Sequence, residues 1–121
     1  MTDQEIFDKV VTHLRQQKVR ATQWPGSITC YYRTSQGLKC AVGCLIPDEL
    51  YNPSFEGCSV GKAWSQRGLD VVLRNIGIDD SQVEFLRDLQ SIHDTDIANW
   101  EDDLEELAVN YHLKYTEPTH G

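Results

Sequence analysis

Four cysteines, one histidine–aspartate pair and one run of carboxylates are the places where this chain could do chemistry. The cysteines are spaced Cys30-x9-Cys40-x3-Cys44-x13-Cys58. Cys30, Cys40 and Cys44 can meet if the chain folds back between them, and Cys58 or His93 can then supply a fourth zinc ligand. The spacing has no C-x2-C knuckle, and a plainer account is that reduced thiols serve as small buried hydrophobes. No bound metal, no other cofactor and no disulfide are expected. A second chemistry is a Cys–His nucleophile. Cys40 would lie at a strand-to-helix junction, where helix N–H groups lower a thiol pKa, with His93 as base and Asp94 as its orienter. The competing account is structural: a histidine favours a helix C-terminus, and Asp94 can cap the turn that follows.

The third feature is charge. Asp96, Glu101, Asp102, Asp103, Glu105 and Glu106 are followed by no lysine or arginine before Lys114. Like charges four apart, such as Asp102 and Glu106, cost helix stability. Such a face either keeps a protein soluble or docks on a basic surface. Asp79, Asp80, Glu84 and Asp88 extend it. The formal net charge is −8, and all of the excess lies beyond residue 60. Direct nucleic-acid binding, which needs a basic face, is disfavoured. A basic protein partner is not.

Stepping along the chain, Thr2 and Glu5 form a capping box, and Ile6, Phe7, Val10, Val11 and Leu14 recur at helical spacing. The spacing predicts a helix over Asp3 to Gln17. Trp24-Pro25-Gly26 breaks it, with Trp24 packing over the core edge. Ile28 to Arg33 reads as a strand, turning at Ser35-Gln36-Gly37 and returning over Leu38 to Cys40. Ala41 to Ile46 is apolar enough for a buried short helix or a third strand, and Pro47 to Tyr51 for a helical turn. Residues 52–61 read as a loop with Phe55 as an exposed apolar contact. Trp64 to Asn75 predicts one helix, stopped at Gly77. Ser81 and Glu84 form a second capping box before Phe85, Leu86, Leu89 and Ile92. Thr95 or Asp96 caps a last helix whose inner face is Ile97, Trp100, Leu104, Leu107, Ala108 and Tyr111. Trp100, Leu104 and Leu107 are expected to pack against Cys40–Ile46, and residues 116–121 to fray.

The stretch Tyr32 to Gly57, YRTSQGLKCAVGCLIPDELYNPSFEG, resembles small proteins of unknown function that recur in tailed bacteriophages and prophages. Those proteins share a K-C-A-V-G-x-L-I-P-D run, then Y-x-P and E-G. A late L-Q-x-I-H-D, here Leu89 to Asp94, precedes a tryptophan-bearing helix, here with Trp100. The family carries a small residue, often alanine, where this chain has Cys44. The resemblance implies phage origin and expression inside a bacterial host.

These readings lead to one α+β domain over residues 1–121, mainly helical, with one small antiparallel β-hairpin. No window approaches the 18 or more apolar residues of a membrane span. The acidic, helical N-terminus does not read as a signal or transit peptide, so the host cytoplasm is the expected location. The leading functional expectation is a non-enzymatic phage accessory protein. It would inhibit a host defence or nucleic-acid-handling complex, of the anti-CRISPR type, through Asp96, Glu101, Asp102, Glu105, Glu106 and Phe55. The alternative is a small thiol- or zinc-dependent enzyme centred on Cys40 and His93.

Overall fold

The computed structural model describes residues 1–22 and 30–117. The Trp24 loop, Ile28 and Thr29 of the expected first strand, and residues 118–121 of the tail lie outside the described residues. Among the described residues five α-helices form the frame: α1 (Asp3–Gln17), α2 (Val60–Gln66), α3 (Leu69–Asn75), α4 (Val83–Asp94) and α5 (Trp100–Asn110). Single 3-10 turns at Gly43–Leu45, Asp48–Leu50 and Pro53–Phe55 fill the long passage between α1 and α2. No helix among the described residues is long and apolar enough to cross a membrane.

The expected α+β class is corrected. Among the described residues there is no β-strand, only one isolated antiparallel bridge between Arg33 and Lys39. The reason is where the backbone groups go. The N–H groups of Tyr32 and Arg33 donate to the Glu56 carboxylate, at 2.9 and 3.1 Å. On the returning side, the Lys39 N–H donates to Gln17 Oε1, and the Lys39 carbonyl accepts from Gln17 Nε2 and meets His13 Nε2, each at 2.8 Å. Of these groups only the Tyr32 N–H would have extended a ladder; those of Arg33 and Lys39 point away from the bridge, whose flanking bonds, including Cys40 N–H to Tyr32 O at 3.2 Å, are made. The turn itself remains, closed by Thr34 N–H to Leu38 O at 2.9 Å with Gly37 at φ +87°.

Helix α1 begins in the expected capping box, with Thr2 and Glu5 serving each other's free N–H groups. Its stripe of Ile6, Phe7, Val10, Val11 and Leu14 is buried. The predicted helix over Trp64–Asn75 is two helices. Gly68, at φ +84°, turns the chain between α2 and α3, so the apolar stripe continues while the axis does not. The second capping box also lies elsewhere: Asp79 and Gln82 form it, two residues before the expected pair. Asp96 caps the 3-10 turn Ile97–Asn99, accepting from the Ala98 N–H at 3.0 Å, and not the last helix as expected; α5 has Asn99 at its N-cap, with no side-chain cap.

Helix α4 occupies the centre, packed against α1, α2 and α5. Trp100, Leu104, Leu107 and Ala108 are buried as predicted, with α4 as the main helix against them, while the Gly43–Leu45 turn packs on α1. Ile97, expected inside, is 40% exposed, because it sits in the 3-10 turn before α5 and leaves the stripe. After α5 the chain runs back along α1. Lys114 N–H donates to Gln4 Oε1 at 2.8 Å, and Arg15 donates to the Thr116 carbonyl at 2.7 Å, so the expected tail is anchored at its first residue.

Candidate functional site

His93 is fully buried near the end of α4. Its Nε2 accepts from the backbone N–H of Ala21 at 3.0 Å, and its Nδ1 lies 2.9 Å from Asp94 Oδ1. A lone pair at Nε2 requires the proton at Nδ1, so the ring donates to Asp94. The imidazole stacks on Trp100, centroids 5.8 Å apart. Gln90, one turn earlier, donates to the same Asp94 oxygen at 3.0 Å and accepts from the Val42 N–H at 3.2 Å. The two stretches that carry the phage-protein resemblance therefore meet here. The cavity beside them, about 130 Å³, is lined by Cys30, Tyr32, Cys40, Cys58, Gln90 and Asp94 among others.

This node does not fit the chemistry of the alternative reading, a thiol- or zinc-dependent enzyme. Cys40 and His93 are not hydrogen-bonded to each other. The Cys40 sulfur accepts from the Gly43 N–H at 3.2 Å, and burial pushes its thiol well above the ordinary value. The helix turn that was to activate it is a single 3-10 turn. Cys30, rather than Cys40, faces the histidine–aspartate pair. Burial first, and the Asp94 carboxylate second, raise its thiol to about 11. A nucleophile needs the opposite shift. The proposed zinc set of Cys30, Cys40, Cys44 and Cys58 does not converge either. Among the described residues the potential ligands that come together are Cys30, His93 and Asp94, within 4.8 Å of one another. Both ring nitrogens of His93 are committed to Ala21 and Asp94, leaving no lone pair for a metal. Cys44 donates instead to the Ala41 carbonyl at 3.0 Å, and its thiol is raised to about 12 by burial.

Side-chain contacts and one close backbone approach hold the segment over residues 32–57 together. Arg33 reaches Asp48 at 2.7 Å and lies over the Tyr51 ring at 5.1 Å. The Tyr51 hydroxyl donates to Glu56. Gly43 lies so close to Tyr32 that a Cβ would sit 2.0 Å from its carbonyl oxygen. Glu56 and Gln90 were missed as key residues by reading residue types, since neither type nor spacing marks which backbone N–H groups they reach.

The carboxylates sort into two groups. Glu101 is a strut: Arg15 donates to it at 2.8 and 3.1 Å and the Tyr115 hydroxyl at 2.8 Å. The Arg15 guanidinium holds Glu101 below the usual carboxylate range. Its expected place on the free acidic face is thus corrected. Ala108 joins the buried stripe of α5 and widens it towards Glu101. Asp102, Glu105 and Glu106 are exposed, as expected, and pair with no basic side chain among the described residues. Asp96 is exposed but spends one oxygen on its cap. Phe55, expected as an exposed contact, is 1% exposed. Asn52 caps the Pro53–Phe55 turn through Ser54 N–H, and the turn carries Phe55 inward, edge-on to Tyr51 at 6.2 Å.

Asp88, Asp103 and Glu106 line a surface groove of about 310 Å³ between α4 and α5, over a floor that includes Ile92, Leu107 and Tyr111. No family model matches the chain, and neither a curated protein nor a solved structure matches it.

Proposed function

We propose that this chain is a non-enzymatic binding protein that works inside a bacterial cell as a phage accessory factor. Its exposed acidic face covers a basic surface on a host defence or nucleic-acid-handling complex. The observation that carries this reading is the set of uncompensated carboxylates on α5, Asp102, Glu105 and Glu106, on a helix with no lysine or arginine. Clustered like charge costs helix stability, and although the helix dipole favours Asp102 in the first turn, no basic side chain among the described residues pairs with Asp102, Glu105 or Glu106. A basic partner would. The phage context comes from the resemblance of Tyr32–Gly57 and Leu89–Asp94.

Catalysis is the weaker reading on geometric grounds: the candidate base has its lone pair occupied, and the candidate thiols are pushed away from the thiolate form. The test is capture of partners from bacterial extract, followed by displacement. A labelled nucleic acid bound to the captured partner should be released by wild-type protein. Asp102→Lys/Glu105→Lys should release it poorly. A partner that keeps its nucleic acid at saturating wild-type protein would overturn the reading.

A further inference from the structure

We propose that the groove between α4 and α5 receives one arginine side chain projecting from the basic protein partner. This rests on the binding reading above and adds the chemistry of the contact. The floor is apolar, made by the buried side chains of Ile92 and Leu107 and by the ring of Tyr111. Carboxylates stand on both walls, Asp88 from α4 and Asp103 and Glu106 from α5. That pattern matches an amphipathic cation, whose stem lies on apolar surface while its head meets charge. Asp88 accepts from the Tyr111 hydroxyl at 2.6 Å, and the Tyr111 ring packs on Phe85 at 4.7 Å between centroids. The aromatic part of the floor is therefore held in place before any partner arrives. A guanidinium can lie on that ring and still direct its planar fork of donors to separate carboxylates. A lysine ammonium is a point charge, more strongly hydrated, and fits this arrangement less well. No lysine or arginine among the described residues forms an ion pair with Asp88, Asp103 or Glu106, so the groove's charge is uncompensated within the chain. Nucleic acid is repelled by the same carboxylates, which selects a protein as the source of the cation.

The probe is a blocked tripeptide, alanine–arginine–alanine, titrated into the full-length ¹⁵N-labelled protein. The same peptide with norleucine in place of arginine supplies the apolar stem without charge. The expected result is amide shifts at Ser91, Leu107 and Asn110, with the norleucine peptide bound at least about tenfold more weakly. Asp103→Asn/Glu106→Gln keeps the shapes, removes two charges and should weaken the arginine peptide by about tenfold or more. Equal binding of the two peptides, shifts confined to Asp102 and Glu105, or no shift at all would each overturn the groove. The broader reading fails separately. If wild type displaces nucleic acid from the captured partner and Asp103→Asn/Glu106→Gln does so equally well, the acidic face stands and the arginine groove does not. If wild type displaces nothing, the binding reading itself falls.

Discussion

His93 and Asp94 were legible in the sequence as a pair with either a catalytic or a structural use. What residue types could not reveal is that the backbone N–H of Ala21, 72 positions away, occupies the ring's lone pair. Buried His93 connects α4 to the chain leaving α1, and exposed Asp94 holds its other ring nitrogen. Nitrogen NMR should find His93 as the Nδ1–H tautomer; the Nε2–H form would contradict the assignment. His93→Ala leaves a buried N–H without its acceptor, at a cost of about 1–3 kcal/mol before any cavity is counted. Thiol chemistry gives a second prediction at this scale. Folding raises the Cys30 thiol from 9.0 to about 11 and the Cys44 thiol from 9.0 to about 12. The folded state thus holds these protons more tightly than the unfolded chain. Their contribution to stability is complete below the unfolded value, near pH 9, and is lost as pH rises through the folded values. The urea midpoint should therefore fall from about pH 9 upward, and Cys30→Ala/Cys44→Ala should flatten that fall. An identical pH profile in the double variant would remove the thiols as its cause.

Helix α1 was readable almost to the residue, because a capping box fixes its start and an apolar stripe its inner face; in the structure Lys18 closes it in a left-handed conformation. Periodicity misled where the chain bends without changing its stripe, as at Gly68. It also overreached where the pairing stops after one bridge, as at Arg33 and Lys39, with the Tyr32 N–H turned to the Glu56 carboxylate. The turn segment depends on close approach at Gly43. Gly43→Ala should cost at least about 3 kcal/mol, the upper range for overpacking, since the contact is with backbone rather than a flexible side chain. A melting temperature within a degree or two of wild type would contradict the close approach, about what a fraction of a kcal/mol produces. On α5, Trp100→Ala should cost about 3–5 kcal/mol. Trp100→Phe should cost much less, because the buried indole N–H has no partner among the described residues to lose. Val109→Ala, at a site 69% exposed, should stay within about 0.5 kcal/mol. Denaturation curves of the three variants check the order, and equal losses at Trp100 and Val109 would refute the assigned inner face.

At the scale of the molecule, the charge asymmetry was plain from composition, and so was the face on which most of it falls. Which carboxylates are internal was not, because that depends on Arg15 and Tyr115 arriving from other parts of the chain to hold Glu101. Phe55 shows the same limit in reverse, since a loop residue by spacing becomes a core residue through a capped turn. The remaining exposed carboxylates, Asp102, Glu105 and Glu106, form the proposed interaction surface. Its most direct test is the rate at which the protein associates with its captured host partner, measured at low and moderate salt for wild type and Asp102→Lys/Glu105→Lys. Charge steering predicts that the wild-type rate falls as salt rises, and that the double variant associates about tenfold or more slowly at low salt with its fold intact. Equal rates for both proteins at both salt levels would contradict the claim and leave the acidic face as a solvated surface only.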